Sequence, residues 1–160
     1  MKKFLSLFLA VMIFAGCFHM NAYAEETIYP KVIHSYTTTE DFASDEWSIA
    51  QRGAYLLSGR SSISRPDNTH INISGNTVAT QTCDKIRLTL FVERSTSYAT
   101  GYGTYKSYSY SADNVYQLTK AISDIKVDRG YYYRVTGVHS VTENGITETT
   151  NSVTNPIDYR

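Results

Sequence analysis

Cysteine is scarce in this chain. Of 160 residues only Cys17 and Cys83 are cysteines, and Cys17 lies in an N-terminal stretch that reads as removable. A single remaining thiol cannot close an internal disulfide, so the fold must rest on a core. Cys83 itself reads as a small buried hydrophobe, since nothing around Thr82-Cys83-Asp84 would lower a thiol pKa. Histidine is equally thin. Beyond residue 24 only His34, His70 and His139 remain, with no i, i+4 pair and no H-E-x-x-H pattern, so no metal centre is expected. The G-x-S-x-G turn of a nucleophile elbow is absent. Gly101-Tyr102-Gly103 lacks the third glycine and the βαβ setting of a phosphate loop, and Asp113-Asn114 lacks calcium-loop spacing. Glu93, Asp113, Asp124, Asp128, Glu143 and Glu148 fall near strand ends or on polar faces. Glycoside hydrolysis would need two acids about 5–9 Å apart in a cleft. A non-enzymatic protein without a cofactor is the expectation.

An excess of charge is also lacking. The chain carries 15 basic and 15 acidic residues. Without Lys2 and Lys3 the balance is 13 against 15, a net −2. Nucleic-acid binding and a polybasic membrane anchor both require a basic excess, so neither is expected.

Residues 1–24 have the form of a secretory signal peptide. Lys2-Lys3 starts it, an apolar stretch over residues 4–18 follows, and Ala22-Tyr23-Ala24 offers a small-x-small cleavage site. A stretch of 15 residues falls short of the roughly 20 that a spanning helix needs. The mature protein is therefore expected to be secreted or wall-associated, with no stable membrane insertion. Phe14-Ala15-Gly16-Cys17 resembles a bacterial lipobox with Phe14 in the leucine position, which makes lipid anchoring at Cys17 the alternative.

Residues 25–52 read as an arm. Thr38 is a candidate cap for a short helix over about 40–50 that would place Ala43, Trp47 and Ala50 on one face. From Gly53 helical periodicity gives way to β-rich runs separated by turn signals, the pattern of a sandwich or barrel. The runs are 55–64, 69–74 with a continuation at 77–80, 85–94, 98–111, 115–122, 131–143 and 146–153. Over residues 85–94, Ile86, Leu88, Leu90 and Val92 alternate with Arg87, Thr89, Phe91 and Glu93, which describes a sheet with one wet face. A helix over 114–125 competes weakly, since Val115, Tyr116, Thr119 and Ile122 favour strands.

Asn144-Gly145 is a two-residue hairpin signal. Such a loop sets the register: Glu143 opposite Ile146, Val141 opposite Glu148, His139 opposite Thr150. Tyr131, Tyr133, Val135, Gly137 and His139 then form the core side, and Tyr132, Arg134, Thr136, Val138, Ser140, Thr147, Thr149 and Asn151 a mostly polar surface.

The segment Tyr131-Tyr132-Tyr133-Arg134-Val135-Thr136-Gly137-Val138 resembles the penultimate strand of fibronectin type III-like domains. That resemblance implies an antiparallel immunoglobulin-like sandwich of about seven strands over residues 53–157, with Tyr131 as a tyrosine-corner residue. The leader, Leu56-Leu57-Ser58-Gly59 and the stretch from Gly130 to Val141 also resemble a group of short exported bacterial proteins that carries no assigned activity. Neither resemblance brings catalytic residues with it.

Tyrosine is abundant: 14 copies, 13 of them after residue 24. Tyr98, Tyr102, Tyr105, Tyr108 and Tyr110 crowd together among Ser, Thr and Gly, the composition of binding loops. With Tyr132 and Arg134 they are the candidate ligand-binding residues, for cell-envelope glycan or a protein partner. Cross-strand tyrosine packing explains the same residues without a ligand. A small exported toxin, bacteriocin or inhibitor is the alternative function, and an unrecognised hydrolase a third.

Overall fold

The computed structural model describes residues 32–49 and 55–160. The leader and the Cys17 lipobox lie outside the described residues. Eight strands form among the described residues: β1 (Val32–Thr38), β2 (Phe42–Ile49), β3 (Leu56–Ser64), β4 (His70–Ser95), β5 (Gly103–Lys126), β6 (Tyr132–Glu143), β7 (Ile146–Val153) and β8 (Ile157–Asp158). They make one antiparallel sheet in the order β1-β2-β3-β4-β6-β7, with β5 also on β4 and β8 also on β6. The all-β, antiparallel expectation holds.

The sheet curls because β4 serves two layers. Its 26 residues far exceed the usual five or six. The first part pairs with β3, from Ala79 back to Asn72, and the second with β6, from Lys85 to Ser95. β5 runs beside both parts. Between them the β4–β5 register shifts between Val78 and Cys83, and Asn114 on the facing strand adopts φ 55°. The two halves of β4 then turn their inner faces toward each other. A Cβ on Gly75 would stand 2.8 Å from Leu90 and 3.0 Å from Leu88 of the same strand. Ile71, Ile73, Leu88, Leu90 and Val92 from β4 are all buried, joined by Ile63 of β3, Ile125 of β5 and Tyr133, Val135 and Val141 of β6.

Runs that the sequence separates are therefore continuous. Residues 70–74, 77–80 and 85–94 belong to one strand, and 98–111 and 115–122 mostly to another. The polar and turn-prone residues between them mark a corner and bulges instead of ends. Asn114 and Asp124 (φ 60°) absorb the irregularity in the left-handed region that short polar residues tolerate.

The short helix expected over about 40–50 is not present. Phe42–Ile49 is β2, paired with β3 from Phe42↔Ser64 to Ser48↔Ser58. A helix of that length is marginal on its own, whereas the open edge of β3 supplies a full backbone ladder. Ala43, Ser44 and Asp45 are all buried, and Trp47 packs on the core.

The terminal hairpin has the expected register: Glu143↔Ile146, Val141↔Glu148, His139↔Thr150. Asn144 (φ 50°) and Gly145 (φ 78°) both take the positive φ that a type I′ loop demands. The tyrosine whose hydroxyl bonds back to the upstream chain is Tyr133 and not Tyr131. The Tyr133 hydroxyl accepts from the Asp128 N–H at 2.9 Å and donates to the Asp128 carbonyl at 3.0 Å. Tyr131 is only half-buried beside it.

Cys83 is buried at the corner, with its thiol 3.3 Å from the Gln81 carbonyl, and burial pushes its pKa up. A water-soluble disulfide reagent should label the folded chain at least about tenfold more slowly than the urea-unfolded chain. Equal rates would refute the burial. Replacing Gly75 with Val, which drives methyl groups into Leu88 and Leu90, should cost about 1–3 kcal/mol, read as a lowered urea midpoint at constant m.

Candidate functional site

Two groupings of polar and aromatic side chains stand out, one on the outer face of the curled sheet and one inside it. In antiparallel pairs, directly opposed residues share a face. Glu93 opposes Arg134 and Ser95 opposes Tyr132, so Arg134 and Tyr132 lie on the outer face of β4–β6. Glu93 accepts from Arg134 Nε at 2.7 Å and from the Thr136 hydroxyl at 3.0 Å. The Arg134 guanidinium lies 4.0 Å from the centre of the Tyr102 ring, a cation–π contact worth about 0.5–2 kcal/mol.

The loop between β4 and β5 completes this face. Ser95 Oγ donates to the Thr100 carbonyl at 2.6 Å and accepts from the Ser97 N–H at 3.0 Å, Gly101 turns at φ 76°, and the Tyr102 hydroxyl donates to the Tyr98 carbonyl at 2.9 Å. A loop bonded to itself this way holds Tyr98 edge-on to Tyr132 at 5.4 Å, with 56% of Tyr98 still exposed. The Arg160 guanidinium lies over the Tyr132 ring, 4.3 Å from its centre, and is matched by Asp158 at 2.9 Å. Burial among these groups raises the Tyr102 pKa, so its hydroxyl stays neutral and donating.

The structure thus brings together four of the seven candidate residues: Tyr98, Tyr102, Tyr132 and Arg134. The other three lie elsewhere. Tyr108 opposes Leu90 and Tyr110 opposes Leu88, which turns both toward the core, where they are partly buried. Tyr105 sits at the bulge beside Val92 and Glu93 and packs edge-on to Tyr133 at 5.8 Å. The Arg94 guanidinium lies 4.5 Å from both the Tyr105 and the Tyr131 ring centres, and it bonds Asp128 at 2.6 Å. This stack closes one end of the core.

The internal grouping was invisible to residue-type searches. His139 is fully buried. Its Nδ1 lies 2.9 Å from Thr77 Oγ1 and its Nε2 2.8 Å from Ser152 Oγ, which donates to Ser61 Oγ at 2.7 Å. Gly59 lies flush against the ring, and a Cβ on Gly137 would stand 2.7 Å from Nε2, so both glycines are required for the close approach. Glycines placed inside strand patterns were the one available signal. Nearby, the buried Asp45 accepts from the Val153 N–H at 2.7 Å and contacts His34 at 3.2 Å. Glu148 accepts from the Leu56 N–H at 2.7 Å. Every buried side-chain polar atom among the described residues has a partner.

Both members of the serine–histidine contact are fully buried. His70 lies at the surface between Asp67 (3.0 Å) and Asp124 (3.6 Å), remote in strand register from His139. Among the described residues no group of three or more His, Cys, Asp or Glu is placed to hold a metal. The Lys85–Asp113 end of the outer face has an open depression of about 700 Å³ bordered by Thr142 and Thr147, without an imidazole.

Desolvation lowers the His139 pKa from 6.5 to about 4. Below pH 6.5 the unfolded chain takes up a proton that the native ring refuses until about pH 4. Stability is therefore complete above that window and falls as pH drops through it, by up to about 3 kcal/mol. Urea unfolding between pH 7 and pH 4 should show this slope, and His139→Gln should remove most of it. An unchanged slope in the variant would exclude His139 as the source.

A family model described as a family of unknown function (DUF6147) matches residues 21–157. No curated protein matches the chain.

Proposed function

We propose that this chain, which belongs to the DUF6147 family, is an exported, non-enzymatic interaction module that binds a neutral glycan of the cell envelope on the Tyr98–Tyr102–Tyr132–Arg134 face. The observation that carries this is the presentation of Tyr98. The residue is more than half exposed, yet its loop is fixed by its own hydrogen bonds. A pre-ordered aromatic face loses little entropy when a sugar ring stacks on it.

The charge pattern favours a neutral ligand. The two arginines that contact rings of this group are each matched by a carboxylate, Arg134 by Glu93 and Arg160 by Asp158. The surrounding outer face supplies hydroxyls, Thr89 and Ser109 at 3.1 Å among them, that suit a polyhydroxylated chain. Export rests on the charged start, apolar stretch and Ala22-Tyr23-Ala24 site of the leader. The immunoglobulin-like or fibronectin type III-like form of the sandwich belongs to the same proposal. It is supported by the Tyr133 hydroxyl, which clasps the backbone five residues upstream as a tyrosine corner does.

Co-sedimentation with purified, protein-free envelope polysaccharide tests the assignment. Tyr98→Ala should weaken retention about tenfold while shifting Tm by less than about 2 °C. Tyr105→Ala with Tyr108→Ala should instead lower Tm by several degrees, because both rings pack on the core. Unchanged retention in Tyr98→Ala would refute the site. Retention by envelope fractions only when their protein is intact would replace the glycan with a protein partner.

A further inference from the structure

We propose that the contact of β2 and β3 with β7 is an acid-sensitive seam, in which protonation of His139 releases the β1–β2 hairpin from β7 while β4, β5 and β6 stay folded. Curling brings β2 and β3 over β6 and β7, but β2 and β7 share no backbone ladder. Side chains bridge the gap instead. Asp45 reaches from β2 to the Val153 N–H, and Glu148 reaches from β7 to the Leu56 N–H. Between them runs the hydroxyl relay from Ser61 through Ser152 to His139 and Thr77. Apolar support is thin here: from β1 and β2, Ala43 is the one member of the buried cluster among the described side chains, with Trp47 partly buried against it. Regions with few buried apolar contacts are where a fold opens first.

The relay has a defined direction. Ser152 donates to Ser61, so its oxygen is left to accept from Nε2–H of the ring. Nδ1 then accepts from the Thr77 hydroxyl. A second proton on Nδ1 reverses that bond, so that the Thr77 hydroxyl must turn to accept, and leaves a buried cation whose contacts are neutral hydroxyls.

Among the described residues, the groups that face the ring offer it no counter-charge in contact. β3 presents Gly59 and Ser61, β4 presents Thr77, and β5 places Leu118 opposite Thr77. β6 presents Gly137 beside the ring, and β7 presents Ser152 and, farther along, Glu148 held by Leu56. Asp45 of β2, one strand away, is already engaged by Val153 and by His34 of β1. The ring cannot withdraw, because Gly59 and Gly137 lie against it. Hydration through the parted seam is the route left to the imidazolium.

Hydrogen exchange by mass spectrometry on the chain at about pH 7 and about pH 4.5, corrected for intrinsic rates, tests this. Protection in residues 42–49 and 146–153 should fall about tenfold or more relative to residues 103–126 at the lower pH. His139→Gln, whose amide can serve both Thr77 and Ser152, should keep both segments protected. Uniform loss of protection along the chain, or equal opening in His139→Gln, would overturn the proposal. A second readout needs no variant: the imidazole nitrogen shifts of His139 should move together with seam opening. A ring that titrates while residues 42–49 and 146–153 stay protected would also overturn it.

Discussion

One strand forming two walls of a core is the constraint from which the rest follows. In β4, Ile71, Ile73, Gly75 and Thr77 face Leu88, Leu90 and Val92 across the interior. Packing requires apolar side chains to interdigitate without voids, and here the facing sets are joined covalently by a few residues. The corner near Cys83 must therefore turn sharply, and Gly75 must carry no side chain. Given that turn, β3 and β6 are delivered to opposite layers by pairing with the two halves of β4, and the outer strands follow their neighbours.

The curl leaves a join that hydrophobic burial does not close. Asp45, Glu148, Ser61, Ser152, His139 and Thr77 hold it with polar contacts. Each such hydrogen bond adds only about 1 kcal/mol net, yet losing a partner exposes a larger desolvation penalty. A satisfied polar network therefore fixes one alignment of β2 against β7 more sharply than it stabilises the fold. It also makes that ring one source of sensitivity to acid, because its contacts are hydroxyls and not a carboxylate.

Tyrosine shows the limits of composition as a guide. Tyr98, Tyr102, Tyr105, Tyr108 and Tyr110 look alike along the chain, but they divide between opposite faces. Pairing across from Leu88 and Leu90 sends Tyr110 and Tyr108 inward, and the bulge at Tyr105 turns it toward Tyr133 and Arg94. Tyr98 and Tyr102 belong to a loop that folds back on the outer face and meets Tyr132 and Arg134, which are distant in sequence. Arg134 and Tyr132 were legible as outer-face residues, because the Asn144-Gly145 loop sets the β6–β7 register. Their meeting with Tyr98 and Tyr102 was not, since it depends on β4 lying between β5 and β6.

Local chemistry by itself determined the period-two strands, the Asn144-Gly145 hairpin with its register, and the inward set Ile86, Leu88, Leu90 and Val92. Each depends on residues within a few positions of one another, where side-chain alternation and positive φ act directly. Tertiary structure decided the rest. Residues 42–49 became a strand because β3 had a free edge. The breaks in β4 and β5 became a corner and bulges because an already-paired neighbour carried the ladder across them. His139 met Thr77, Ser61 and Ser152 because a curled sheet closed on itself. Long-range pairing can override weak local preference wherever it satisfies backbone hydrogen bonds that a short helix or an isolated turn would leave to water.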